Sequence, residues 1–429
     1  MPEIPPPPPT ADQHPRPADK QGDRLLLTYL AVAMVATGQP VHEIDEDLDA
    51  VGRRLGYPDV QVAAGPTGVS LALGSGEPAT VETVNGSLRL DQAAEVRLIR
   101  GQLMAGVIDR GQALERLTSL RGRPERYPAW LSALAWVIAS VGIGLILQPG
   151  AVNVALTAVG SVVVLGLARL SARSRALATL LPSVAAFLVA CLVFTAASAG
   201  IVDGALRTLL PPLAILLPGA ILVTGLSEIA AGAMVAGVSR VGYGIVQLLL
   251  FALGILAAAA LLRVPPEALS NIRVDDLGWW AAPLGLLLVS VGLCLMESIK
   301  LSLMPWVVLV LLAAFGAQAL GQQLYGAQLG GFLGGAAASL CAALVELVRP
   351  QLPRLVLFLP AFWMLVPGSL GLLSVTELAL GPTGAASAGF GVVQLVGAIA
   401  LGLLVGSVLA RSLRAALRRG AQAPRQLSP

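Results

Sequence analysis

Residues 216–248 read LLPGAILVTGLSEIAAGAMVAGVSRVGYGIVQL, and residues 365–395 read LVPGSLGLLSVTELALGPTGAASAGFGVVQL, an offset of just under 150 positions. The copies keep Pro218 in step with Pro367, Gly219 with Gly368, Ser227-Glu228 with Thr376-Glu377, and Gly232 with Gly381. A chain that repeats itself at this distance is built from two related halves. In a membrane protein, Pro-Gly interruptions at matched positions of two halves point to the site of a transported solute.

Composition places the repeat in a membrane. Of 429 residues, 56% are hydrophobic and 12% charged, with a mean hydropathy of +0.79; soluble domains carry roughly 25% charged residues. Apolar runs follow one another from residue 129, each near the roughly 20 residues that carry a helix across about 30 Å of hydrocarbon. They do not alternate as barrel strands would. Ten spans are read, at 129–148, 151–168, 177–198, 208–227, 238–262, 279–296, 302–320, 326–347, 354–375 and 385–410. The 47 glycines suit close helix packing, because lipid supplies no hydrophobic drive between helices.

Charge sets direction. Arg121, Arg123, Arg126, Arg169, Arg173, Arg175, Arg240, Lys300, Arg349, Arg354, Arg411, Arg414, Arg418 and Arg419 fall on one side of a ten-span arrangement; Arg207, Arg263 and Arg273 fall on the other. Basic residues of short loops stay cytoplasmic, so both termini are expected there. Five spans per half is an odd number, and the second half must enter the membrane from the opposite side. The expected fold class is a polytopic α-helical membrane protein with ten transmembrane helices, arranged as two inverted five-helix repeats and preceded by a small α+β cytosolic domain. Inverted repeats are typical of secondary transporters working by alternating access.

The expected divisions are a disordered Pro-rich tail (1–23), a cytosolic α+β domain (24–128), a first five-helix membrane repeat (129–262), a second (263–410) and a basic cytosolic tail (411–429). Pro5 to Pro9 in succession favour extended chain over packed structure. The apolar run 25–38 follows basic residues and raises an export signal as an alternative, but it is short for a span and an amphipathic helix over 42–57 follows. Strands are expected at 60–64, 69–73 and 79–84 between Gly and Pro turns, then helices at 90–104 and 111–120.

Pro218 and Pro367 sit near the middle of spans four and nine. Proline removes an N–H and breaks the helix, and the unpaired N–H groups after the break attract a carboxylate. The candidate solute-binding residues are therefore Pro218, Gly219, Thr224, Pro367, Gly368 and Ser369, with the matched in-span amides Gln247 and Gln394. A packing kink, and for the glutamines a helix-to-helix hydrogen bond, are the plainer alternatives. Glu228 and Glu377 lie ten residues past their prolines, about 15 Å if helical, which places them toward opposite membrane faces as gate or coupling residues. Glu297 with Lys300 and Glu346 with Arg349 read as i,i+3 ion pairs marking span ends.

Other chemistry finds little support. Cys191, Cys294 and Cys341 lie in apolar runs as small hydrophobes, with no disulfide or metal spacing. His42, Asp45 and Glu46 leave a metal as the sharper alternative to a solvated acidic face; no metal and no cofactor are expected. A net charge of +3, distributed by topology, argues against a nucleic-acid partner. No P-loop occurs, which argues against ATP-driven pumping.

The order of a cytosolic domain, five spans and five more resembles the threonine/serine exporter family over residues 24–410. The resemblance rests on LLLTYLAVAMVATGQPVHEIDEDLDAVGRRLGY, LLPGAILVTGLSEIAAGAMVAGVSRV and LPAFWMLVPGS. The family pattern after the first Pro-Gly carries an acidic residue near Glu228, a Gly-Asp step and a basic residue near Arg240. Here Ala233 follows Gly232, and the second acid is missing. The resemblance implies export of small hydroxylated amino acids, threonine or serine, from the cytoplasm across a bacterial inner (plasma) membrane, coupled to protons. It also assigns Arg240 to gating beside Glu228. Dicarboxylates or other small carboxylates are the alternative cargo, because relatives with split halves are linked to dicarboxylate export. A hydrolase in the cytosolic domain, anchored by the spans, is the alternative from another class; residues 25–126 show no nucleophile with a base at recognisable spacing. The expected partners are the amino-acid solute, protons and the lipid bilayer, and assembly as a homo-oligomer is compatible with the sequence.

Overall fold

A computed structural model describes residues 17–349, 357 and 385–422. The chain divides into two compact units, one of residues 1–88 and 95–122, the other of residues 89–94 and 123–429.

The first unit is α+β. Helices α1 (Pro17–Ala36) and α2 (Val41–Leu55) precede three strands, β1 (Gln61–Ala64), β2 (Gly68–Ala72) and β3 (Thr80–Thr83), followed by α3 (Leu90–Met104), whose residues 90–94 belong to the second unit, and α4 (Arg110–Ser119). The strands form an antiparallel sheet in the order β1-β2-β3. The run read as a possible export signal builds the core: Leu26, Leu27 and Leu30 of α1 are fully buried with Ile44, Leu48 and Val51 of α2 and Leu71 of β2. α2 buries a face at helical spacing and stops at Gly56, whose left-handed backbone (φ 98°) lets Gly56 N–H reach Arg53 O. α1 begins at Pro17 rather than after residue 23. Asp23 explains the longer helix: it is buried and accepts from Tyr57 Oη (2.9 Å) and Arg110 NH1 (2.6 Å), which ties the first turns of α1 to the domain.

Asp45, on α2, gives this unit a pH dependence. Burial, reinforced by the charge of Asp49, pushes its carboxyl up from 3.8 to about 6. The folded state therefore holds this proton more tightly than the unfolded chain. That stabilisation is complete below about pH 4 and is lost as pH rises through about 6. Asp45→Asn is expected to raise the melting temperature at pH 7 and leave it unchanged at pH 4. Equal melting temperatures for variant and wild type at pH 7 would contradict this account of the burial.

The second unit is helical and apolar. Among the described residues, seven helices are long and apolar enough to cross a membrane, and a bent pair makes an eighth. They are α5 (Ala129–Leu147), α6 (Ala151–Ser171), α7 (Arg175–Ser198), α11 (Met234–Leu262), α13 (Met304–Tyr325), α14 (Ala327–Val348) and α15 (Ala385–Gln422). The bent pair joins α8 (Ala205–Thr208) and α9 (Leu210–Leu213), continued to Leu216, to α10 (Gly219–Ala230). The chain is thus a polytopic helical membrane protein, but this count differs from the ten spans read in the sequence. α12 (Ala281–Met296) has only 16 residues, fewer than the roughly 20 that a comfortable span needs, and the ninth span (354–375) lies outside the described residues save Leu357. α15 also runs on past residue 410 into the segment expected as a tail.

Glycines set the helix contacts. A Cβ at Gly142 of α5 would stand 2.7 Å from Gly285 O and 2.8 Å from Val289 N on α12; one at Gly292 would stand 2.8 Å from Ala135 O and Ala139 N. Ascending numbers on one helix meet descending numbers on the other, so α5 and α12 run antiparallel. The contact also maps onto itself, since Ser140-Val141-Gly142 recurs as Ser290-Val291-Gly292, 150 residues on. A second contact recurs between a different pair of helices. A Cβ at Gly254 of α11 would strike Ser183 O and stand 3.0 Å from Phe187 N on α7; one at Gly402 of α15 would strike Phe332 O and stand 3.1 Å from Ala336 N on α14.

Candidate functional site

The bend in the eighth candidate span follows from local chemistry. Proline disfavours helical backbone in the residue before it, and Leu217 is extended (φ −67°, ψ 139°). The two segments meet at 69°. α10 starts at Gly219 with Pro218 at its cap and no side-chain hydrogen bond there. The positive end of its dipole and its first N–H groups therefore lack a capping side chain. This end is interior: Gly219, Leu222 and Val223 are buried, and α10 packs against α11 and α15 while α5 packs against α9 and residues 214–216.

The first segment of the bent span is anchored at its far end. Asn153 donates to Thr208 Oγ1 (2.8 Å) and Asp203 O (2.9 Å), and Gln148 donates to Ile272 O (3.1 Å) and accepts from Val274 N (3.3 Å). Gln148, Asn153 and Thr208 are all buried, and together they hold the segment before the break. Nothing in their spacing signals this network, because its partners lie in loops more than a hundred residues apart for Gln148 and about fifty for Asn153.

Beyond the break, α10 and α11 form a tight hairpin through Gly232, whose φ is 91°. A Cβ at Gly225 would stand 2.8 Å from Gly237 O, and one at Gly237 would stand 2.6 Å from Gly225 O. At that separation Arg240 stands beside Gly225, 3.0 Å from the position of an added Cβ there, and its Nε lies 3.0 Å from Oε2 of Glu228, one turn farther along α10. Glu228 is wholly buried and Arg240 is 11% exposed. The contact is electrostatic rather than a well-aimed hydrogen bond, since these two atoms miss hydrogen-bond geometry. The hairpin encloses the Glu228 carboxylate within the protein.

Other residues expected at the site make hydrogen bonds of their own. Thr224 O accepts from Ser227 Oγ (2.8 Å). Gln247 donates to Tyr243 Oη on its own helix (2.6 Å), whereas Gln394 accepts from Gln328 of α14 (3.4 Å), a bond between helices. Pro367, Gly368, Ser369 and Glu377 lie outside the described residues. Glu297, read as a partner of Lys300, accepts from Leu90 N (3.1 Å), and Arg349 lies over the Trp306 ring at 5.6 Å. Among the described residues, no group of three His, Cys, Asp or Glu side chains could hold a metal. The unit thus combines an uncapped helix start suited to an anionic group with a buried ion pair about 15 Å farther along the same helix.

A family model described as "Putative threonine/serine exporter" matches residues 26–262, more than half of the chain. No curated protein and no solved structure matches it.

Proposed function

Because the chain belongs to the threonine/serine exporter family, and so to a family of transporters rather than enzymes, we propose that it exports small hydroxylated amino acids from the cytoplasm by proton-coupled alternating access. The observation that carries this reading is the uncapped break at Pro218, which turns a helix start toward the interior of an apolar bundle. The amino acid's carboxylate would meet the first N–H groups of α10, where dipole and donors both favour an anion. Gly219 would let the solute approach the backbone, and Thr224 would lie one turn and a half farther on.

In this reading the membrane part has ten spans, with α12 as the sixth and residues 354–375 as the ninth, arranged as inverted repeats. The antiparallel pairing of α5 with α12 supports inversion, because these are the first helices of the two halves. The recurrence of the α7–α11 contact between α14 and α15 supports the same pairing of repeats. Pro367, Gly368 and Ser369 would then form the second break, facing the first, and both termini would lie on the cytoplasmic side of a bacterial inner membrane.

Glu228 and Arg240 suit a gate. Their attraction holds α10 against α11, and a proton on Glu228 would cancel it, freeing the hairpin to move. Glu377 would take the corresponding place in the second half, though this chain offers it no matched basic residue in the repeated segment.

Counterflow in proteoliposomes tests the reading: vesicles loaded with unlabelled threonine should accumulate labelled threonine or serine, and a proton gradient should alter the rate. Accumulation of dicarboxylates alone would change the cargo, and accumulation of neither would end the transport reading. Gly219→Trp is expected to reduce counterflow to background while the purified protein remains folded. Normal transport by that variant would make the break a packing kink.

A further inference from the structure

Two polar groups on α5, Trp136 Nε1 and Ser140 Oγ, are buried without a hydrogen-bond partner among the described residues. Ser140 has no exposed surface at all. Four residues apart, they share one face of the helix. That face is turned away from α12, which α5 meets through Ala135, Ala139 and Gly142. Trp136 and Leu147 pack on the buried cluster containing Leu213, Leu222 and Val223, Leu147 also touching the cluster that α12 builds, and α5 packs against α9 and residues 214–216, just before Pro218. Ser140 lies between Trp136 and Leu147 on the same stripe, so it too is turned to the side on which α5 meets the segment leading into the Pro218 break.

The repeat supplies a control. Ser290 occupies the matching position in the second Ser-Val-Gly and is equally buried, yet its hydroxyl donates to Leu286 O at 2.7 Å. Ser161 and Ser407 return their hydroxyls to their own helices in the same way. That is the ordinary fate of a serine inside an apolar helix. The Ser140 hydroxyl makes no such bond to its own helix, and a buried donor left unpaired in a native structure calls for an explanation.

Resting on the exporter reading, we infer that Trp136 and Ser140 are solute-binding residues at the Pro218 break, recognising the oxygens of a small hydroxylated amino acid. The indole N–H can only donate, and it suits a carboxylate oxygen beside the start of α10. The serine hydroxyl both donates and accepts, which matches an alcohol. A solute lacking the alcohol would leave Ser140 unpaired in a site closed to water, and sites of that kind discriminate strongly.

The test is binding to the purified full chain, measured by titration calorimetry with L-threonine and with L-2-aminobutyrate, which is threonine without its hydroxyl. Wild type is expected to favour threonine by about tenfold or more, the ratio that one hydrogen bond of ordinary net strength supplies. Ser140→Ala should bring the ratio to within about twofold, chiefly by weakening threonine. Trp136→Phe, which keeps the ring but loses the N–H, should weaken both solutes about tenfold and leave their ratio unchanged. A Ser140→Ala protein that retains the wild-type preference overturns the assignment of Ser140 while leaving the exporter reading in place. If wild type binds only dicarboxylates, unchanged dicarboxylate affinity in Trp136→Phe overturns the assignment of Trp136, and weakening by about tenfold upholds it. Binding of neither class by wild type removes the exporter reading and this inference together.

Discussion

Arg240→Ala is expected to destabilise the protein by about 3–5 kcal/mol, the cost of removing one partner from a buried ion pair. Glu228 is fully inaccessible, and the variant strips away the guanidinium that lies 3.0 Å from it. Adding Glu228→Gln should recover most of the loss, because an amide carries no charge to compensate. The measurement is unfolding of the purified protein in detergent, followed by its tryptophan fluorescence, for wild type, both single variants and the double variant. A double-mutant cycle then isolates the pair from the packing of each side chain. An Arg240→Ala protein as stable as wild type would show that the pair contributes nothing to holding α10 on α11, and the proposed gate would lose its basis. The same cycle carries functional information. If release of this pair is a step of transport, Glu228→Gln with Arg240→Ala should still bind threonine but lose the response of its rate to a proton gradient.

How much of this is legible in the letters depends on how local the physics is. The Pro218 break is visible in the sequence because proline acts on its own turn and the residue before it. The strands of the first unit and helices α2, α3 and α4 are visible because their periodicity and bounding Gly and Pro residues are local too. The link between Arg240 and Glu228 is not, since twelve residues separate them across a turn. Their distance is set by Gly225 and Gly237, two among 47 glycines. Helical rise correctly measures the distance from Pro218 to Glu228 but says nothing of the neighbours that bury Glu228. Asp23 fails for the same reason in reverse: a Pro-rich neighbourhood reads as tail, and the partners that order it, Tyr57 and Arg110, lie far along the chain. Trp136 and Ser140 escape entirely, because whether a hydroxyl turns into its own helix is a matter of rotamer and packing. Ser140 and Ser290 share a tripeptide and are equally buried, yet only Ser290 bonds its own helix.

The two-half architecture makes a prediction with equally large effects. Gly142→Val and Gly292→Val should each destabilise the protein by about 3 kcal/mol, the upper end for overpacking, because the atoms that the new side chains meet are backbone. Gly142 meets Gly285 O and Val289 N, and Gly292 meets Ala135 O and Ala139 N; neither set can move without shifting a helix. The matching controls are Gly166 on α6 and Gly316 on α13, also 150 residues apart, where an added Cβ would meet nothing within 4 Å. Both are exposed on their helices, and the flanking pattern agrees, with Val164 and Ala314 buried and Val162 and Leu312 exposed. Gly166→Ala and Gly316→Ala should therefore stabilise, each by about 0.5–1 kcal/mol, through helix propensity and the loss of unfolded-state freedom. Unfolding of the four single variants in one detergent decides the matter. Equal penalties at Gly142 and Gly292, with equal small gains at Gly166 and Gly316, would mean that the halves carry load symmetrically, as they must if each can exchange roles with the other. A large penalty at Gly142 with none at Gly292 would show that only one copy of the contact bears on stability, and alternating access by equivalent halves would lose its structural support.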